Sequence, residues 1–185
     1  RKGTPYWKPY TILKRQGVRI AVLGMITPCI PMWLPQNLWT NLRFDDQEAI
    51  ARYYMPEMQR QADVIVGLFH SGVGSDSITT PRAEHAAVAV ARRVPGFDVV
   101  FCGHDHREAQ RLVRNIEGKD VLVLNPAANA HAVAQADITL TLKGKKVLNK
   151  KVQGQVVSVL NQQPHAGFMQ HFASQYDAVR QFTSK

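Results

Sequence analysis

Cysteine, acidic residues and long apolar runs are all scarce in this sequence. Its 185 residues include only two cysteines, Cys29 and Cys102. They could form one bridge at most, and nothing in their spacing asks for it, so a disulfide-built scaffold is excluded. Each has apolar neighbours in sequence, where a lone cysteine acts as a small hydrophobe. The longest nearly apolar stretch, residues 20–34, is broken by prolines and falls short of the ~20 residues needed to cross a bilayer. Residues 1–10 are polar and prolyl, without the apolar centre of a signal peptide. The chain opens on Arg1 rather than methionine and is expected to be a piece of a longer polypeptide.

What is present is ordinary globular composition: 45% hydrophobic and 20% charged residues, which excludes disorder and fibrous repeats. The length suits one domain. Lysine and arginine number 23 against 14 acidic residues, a net charge of +9, which favours phosphorylated ligands, nucleic acid or acidic partners. The densest basic group, Lys143, Lys145, Lys146, Lys150 and Lys151, has no interleaved aromatics to stack on bases, so it reads as a solvated hairpin.

Periodicity outlines the elements. Residues 10–13 and 18–23 read as a β-hairpin closed at Gly17. Residues 20–26 are apolar at nearly every position, as in a strand buried on both faces. A long prolyl loop follows over 27–41, carrying Trp33 and Trp39, for which packing the loop is preferred to stacking on a base. A helix over 47–61 is capped by Asp45 or Asp46, with Pro56 expected to kink or split it. Residues 63–70 form a buried strand ending on His70, followed by a flexible loop over 71–77. A helix over 81–94, with Thr80 as its cap and Pro81 at its first position, leads to another buried strand over 98–102. Strands over 111–116, 121–124, 133–142 and 146–159 read as an antiparallel meander. Phe168, Phe172, Tyr176, Val179 and Phe182 mark a C-terminal amphipathic helix.

The strand–helix–strand order around His70 implies a right-handed parallel crossover, which sets two histidine-bearing strand ends side by side. The second strand runs into Gly103-His104-Asp105-His106. In an extended His-X-His step both imidazoles leave one face and can reach one ion, or one each of an adjacent pair. Gly103, like the Ser71-Gly72 pair, is expected to permit a sharp turn and a close approach. His70, His104 and His106 are therefore the candidate metal ligands. His85, His131, His165 and His171 read as surface or packing residues. Other His-X-His sites fit poorly. A cupin wants a glutamate where Gln110 and Arg111 stand, a metallo-β-lactamase wants aspartate and histidine at Glu108 and Ala109, and an amidohydrolase barrel needs more chain.

Residues 8–13 (KPYTIL), 17–28 (GVRIAVLGMITP), 62–72 (ADVIVGLFHSG), 94–106 (VPGFDVVFCGHDH) and 125–127 (NPA) resemble the calcineurin-like metallophosphoesterase superfamily. The likeness is to its bacterial 5′-nucleotidase and 2′,3′-cyclic-nucleotide phosphodiesterase branch and covers roughly residues 8–142. It implies an α/β fold, half of a four-layer α/β/β/α sandwich with a parallel βαβ part followed by antiparallel strands and a C-terminal helix. Residues 1–160 would be the C-terminal half of the catalytic domain, and 161–185 a linker and helix leading towards an absent nucleotidase domain. The resemblance makes His70 and His104 ligands of one metal and His106 a ligand of the other. Asp105 is a candidate to orient a ligand imidazole, and Asn125 (with Asn129) to line the substrate cleft or form turns.

The family's earlier motifs, Asp-X-His, Gly-Asp and Gly-Asn-His-Asp/Glu, are missing. Three imidazoles without a bridging carboxylate cannot hold two divalent ions ~3.5–4 Å apart. The rest of the site is expected from an N-terminal half of the same domain. The implied activity is hydrolysis of a nucleotide, or another phosphomonoester or cyclic phosphodiester, using two divalent ions (Zn, Mn, Fe or Co) that activate water. The implied location is periplasmic or secreted. No membrane span and no specific nucleic-acid partner are expected. The rival reading is a non-catalytic anion- or nucleic-acid-binding module with vestigial histidines or a single structural metal.

Overall fold

Strands β1 (Tyr10–Arg15) and β2 (Val18–Ile26) pair antiparallel from Arg15 opposite Val18 to Tyr10 opposite Leu23. The two residues between them, Gln16 and Gly17, have φ of 49° and 81°. Two positive φ values in a two-residue loop twist a hairpin the way its strands twist. The computed structural model describes residues 3–77 and 82–184.

From β2 the chain passes through a one-turn helix α1 (Ile30–Trp33) and a 3₁₀ turn (Gln36–Leu38) into α2 (Gln47–Gln61). Asp46 caps α2, its Oδ1 accepting from the Ala49 N–H at 2.9 Å. The helix runs unbroken through Pro56 rather than splitting there. Its buried residues Ala51, Met55 and Met58 hold both halves against the sheet.

Strand β3 (Val64–His70), helix α3 (Ala87–Arg93) and strand β4 (Val99–Cys102) form the parallel crossover that the sequence implied. Helix α3 starts at Ala87, later than expected. Residues 82–86 are not helical, because the Ser71 hydroxyl takes their backbone: it donates to the Glu84 carbonyl (2.8 Å) and accepts from the Ala86 N–H (3.0 Å). Thr80 and Pro81 lie outside the described residues.

The expected four-strand meander is instead two hairpins. Strands β5 (Glu108–Arg114) and β6 (Asp120–Pro126) pair antiparallel, and β6 inserts beside β4 in parallel. The main sheet therefore has the order β1-β2-β3-β4-β6-β5. Strands β7 (Ala132–Lys143) and β8 (Lys146–Ser158) form a separate two-stranded sheet that closes at Gly144. Its Ala134, Ala136, Ile138, Val152 and Val156 pack on Val66, Val99, Phe101, Leu122 and Leu124. Lys150 is not simply solvated, since its Nζ meets Asp98 Oδ2 at 2.7 Å and ties this hairpin to the main sheet.

The layers are thus α2 and α3, the six-stranded sheet, and the β7–β8 hairpin. The helical side is closed by the larger core, including Leu23, Ile65, Phe69, Val90, Val100 and Val123. The opposite side is only half covered, so β2 is not buried on both faces as its sequence suggests. Ile26 stays 47% exposed and Leu68 56% exposed. The C-terminal segment forms two helices, α4 (Ala166–His171) and α5 (Ala173–Thr183), that meet at Phe172. None of their described residues is buried, so their aromatic side finds no cover here.

Candidate metal centre

A histidine ends β3, and the strand beside it ends on Cys102, directly before Gly103-His104-Asp105-His106. Parallel pairing brings these ends together at one edge. His104 Nδ1 lies 3.2 Å from His70 Nε2, and the ring centroids are 4.9 Å apart. Burial, and then the charges of His104 and His106, push the His70 pKa below the usual histidine value. That favours the neutral imidazole, the form that binds a metal. His106 is exposed and stands near enough for its charge to be felt at His70.

The backbone route to this arrangement differs from the expected one. The segment after β4 is bent rather than extended, with φ of 80° at His104 and 57° at His106. Left-handed backbone at a non-glycine costs ~1–3 kcal/mol and persists where surrounding contacts enforce it. Gly103 does not make the turn: its φ is not positive, and a side chain there would meet open space. Gly72 does provide a close approach, because a Cβ there would strike His85 Nδ1 and come within 2.7 Å of Asp105 Oδ2.

Two residues that the sequence did not single out as ligands join the cluster. Glu84 Oε1 lies 2.9 Å from His104 Nε2 and 3.8 Å from His85 Nε2. Glu84, His85 and His104 each offer a donor atom, all within 4.8 Å of one another, which could hold a metal ion. No periodicity marks Glu84 or His85, since the loop that delivers them is held by Ser71 from the end of β3. Trp33 lies against the other side of His104, its ring stacked 5.1 Å away at 30°. Trp39 packs its loop, with Nε1 donating to the Leu34 carbonyl at 3.0 Å.

Asp105 faces backbone and amide. Its Oδ2 accepts from Val73 N–H at 2.8 Å and its Oδ1 from Asn125 Nδ2 at 2.7 Å. The carboxylate that meets an imidazole nitrogen of His104 is Glu84's. Asn125 is fully buried, and its Oδ1 accepts from Ala127 N–H at 3.0 Å, closing a turn. Asn129 has φ of 62° and is likewise in a turn conformation. Burial pushes the Cys102 thiol up to about 12, so it is a packing residue rather than a nucleophile.

A layered α/β sheet whose parallel strand ends bring two imidazoles together, with a carboxylate from the loop before α3, presents a group of side chains able to hold a metal ion. The comparisons sharpen that reading. No family model matches the chain. It is 32% identical over 116 residues to the 2′,3′-cyclic-nucleotide 2′-phosphodiesterase/3′-nucleotidase of Yersinia enterocolitica, covering 57% of this chain and 18% of that protein. Against the enzyme of the same description from Haemophilus influenzae it is 34% identical over 113 residues, covering 56% and 17%. The chain therefore spans under a fifth of the length of these curated relatives. The crystal structure of calcineurin-like phosphoesterase YfkN from Bacillus subtilis superposes with a TM-score of 0.81 at 22% identity, over 99% of this chain and 61% of that one.

Over 56–57% of its length the chain resembles the 2′,3′-cyclic-nucleotide phosphodiesterases of the calcineurin-like metallophosphoesterase superfamily. It carries that fold and an incomplete metal cluster.

Proposed function

We propose that this chain is the C-terminal part of the catalytic domain of a metal-dependent phosphoester hydrolase, acting on a nucleotide or another phosphomonoester or cyclic phosphodiester. Residues 1–160 belong to that domain, and 161–185 lead away from it. The observation that carries the reading is the approach of His70 Nε2 to His104 Nδ1 at 3.2 Å. Two ring nitrogens that close could both be ligands of one ion, which would be held by His70 and His104.

The donor set fits one ion in part, with His70 and His104 as ligands. His106 is assigned to a second ion, and Asp105 and Asn125 brace the loop between the ligands. A dinuclear centre of Zn, Mn, Fe or Co supplies an activated water and neutralises phosphoryl charge. The chain's own residues hold the imidazoles in place, and imidazole ligands, unlike carboxylates, would leave net positive charge on the ions to meet a phosphate. Trp33 shields one face of His104 from water.

The missing ligands are carboxylate-bearing and come from an N-terminal half of the domain. That half covers the open sheet face at Ile26 and Leu68, which leads directly to His70. Central strands of a parallel sheet are normally covered on both faces, and the solved relative extends well beyond the part this chain matches. A periplasmic or secreted location goes with this reading, by resemblance to the branch.

The test is to combine the chain with the N-terminal half of a relative's catalytic domain. Metal content and turnover of p-nitrophenyl phosphate and a 2′,3′-cyclic nucleotide would be measured. Two metals per complex and turnover lost in His104→Ala are expected. A single metal with salt-dependent polynucleotide binding, or activity that survives His104→Ala, would favour the non-catalytic module instead.

A further inference from the structure

Both ring nitrogens of His104 are engaged, and by different kinds of group. Nδ1 lies 3.2 Å from His70 Nε2, whereas Nε2 lies 2.9 Å from Glu84 Oε1. An ionised carboxylate can only accept a hydrogen bond, so the nitrogen facing Glu84 carries the hydrogen. In a neutral ring that leaves the lone pair on Nδ1, directed towards His70.

We propose that Glu84 is a positioning residue that holds His104 as its Nε2–H tautomer and thereby presents Nδ1, beside His70 Nε2, as the metal-binding atom. The inference rests on the metal-centre reading above and deepens it by choosing the ligand atom.

The surroundings are built for this role. Glu84 has its own backbone carbonyl gripped by the buried Ser71 hydroxyl at 2.8 Å. That hydroxyl also accepts from Ala86 N–H at 3.0 Å, and the Ser71 carbonyl accepts from Gly103 N–H at 3.3 Å. Ser71 directly follows His70. One residue thus ties together the strand end bearing the first imidazole, the loop bearing the carboxylate and the turn bearing the second imidazole. On the remaining side the Trp33 ring stacks on His104. The ring is fixed by its edge contacts and by one face, despite its left-handed backbone.

The competing role for Glu84 is that of a direct ligand, alongside His85 and His104. An ion bound there would use Nε2 of His104 and move its hydrogen to Nδ1, turning that nitrogen into a donor towards His70. His70 and His104 could not then share an ion. Placing the carboxylate behind the imidazole keeps both nitrogens useful: one is oriented, and the other is free to bind.

The experiment is long-range ¹H–¹⁵N NMR on histidine-labelled chain without metal, at a pH where the imidazoles are neutral, followed by titration with Zn²⁺. Wild type is expected to show His104 protonated on Nε2. Glu84→Gln keeps an accepting oxygen and should retain that tautomer, whereas Glu84→Ala should give a mixture. On zinc addition the Nδ1 resonance of His104 should shift, and Glu84→Ala should bind roughly 10–100-fold more weakly. An unchanged tautomer in Glu84→Ala, or zinc on Nε2 of His104 in the wild type, overturns the inference. Because the tautomer is read without metal, the two readings separate: wild type that shows the tautomer but takes up no zinc sinks the metal-centre reading. Glu84 is partly exposed, and far-UV circular dichroism of each variant confirms that its fold is kept.

Discussion

Trp33 stacks on the imidazole of His104 with ring centroids 5.1 Å apart and planes 30° from parallel. The indole comes from the one-turn helix that follows β2, and the imidazole from the turn that follows β4. A tryptophan this close to a proposed metal ligand would report on a bound metal. Titrating paramagnetic Co²⁺ into the chain should quench tryptophan fluorescence, and Trp33→Phe should abolish most of that quenching, leaving Trp7 and Trp39 as the remaining emitters. Quenching that survives Trp33→Phe intact would place the cobalt elsewhere.

At Gly72 the loop after His70 passes close to the turn bearing His104. A Cβ there would run into His85 Nδ1 and within 2.7 Å of Asp105 Oδ2. His85 is partly exposed and can swing aside. Asp105 cannot move freely, since its carboxylate already receives Val73 N–H and Asn125 Nδ2. Gly72→Ala should therefore destabilise the chain by ~1–3 kcal/mol, as overpacking does. Urea unfolding measures this, and an unchanged midpoint would mean that the Asp105–Asn125 pair yields to the added methyl group.

The βαβ unit and its histidine ends were legible because parallel strands covered by helices are written as apolar runs, and both runs lead straight to their histidines. The pairing of β6 with β4 was not, since β5 and β6 form an antiparallel hairpin in sequence wherever it docks. Glu84 was invisible for a different reason. A hydrogen bond from Ser71, 13 residues away, decides where it sits, and no local pattern encodes such a bond. The same bond holds residues 84–86 out of α3, so the helix start was misplaced by the same contact. The left-handed turn at His104 and His106 was hidden by Gly103, which looked like the hinge and is not. Burial of both faces of β2 was expected from its apolar run alone, and the exposed Ile26 shows that a continuous apolar run does not by itself guarantee cover on the second face.

Asp63 gives the chain an acid-sensitive joint between β2 and β3. Its carboxylate accepts from Arg19 Nε, Nη2 and backbone N–H at 3.1, 2.8 and 2.9 Å. The side-chain bonds from Arg19 lead in holding its pKa below the ordinary carboxylate value, against the effect of burial, with the Arg19 backbone bond and the charges of Arg19 and Lys150 adding to them. A carboxylate depressed in the folded state contributes stability that is present above its unfolded pKa of about 3.9. The contribution is lost as pH falls through the lower folded value. Asp63→Asn should therefore lower the urea midpoint at pH 7 and at pH 5, with the gap from wild type closing as the pH drops below about 4. A gap that stays constant down to pH 2.5 would show that the asparagine loses something other than this ion pair.

Leu68 offers the sharpest separation of folding from assembly. It lies in the middle of β3, a central strand paired on both sides, yet it is 56% exposed. Its face continues to His70, two residues on, so whatever covers Leu68 also lies beside the imidazoles. In the isolated chain, Leu68→Glu removes little buried area and should change stability by no more than about 0.5 kcal/mol. In the complex with an N-terminal half, the same glutamate would be carried into an apolar interface without a partner, at a cost large enough to prevent assembly. Val179→Glu, at an exposed position on α5, is the matched control and should assemble normally. Size-exclusion chromatography of the mixed halves and metal uptake by the mixture read out both effects together. Assembly of Leu68→Glu at wild-type affinity would mean that the open face is not where the second half of the domain docks, and that the missing carboxylates reach His70 by another route.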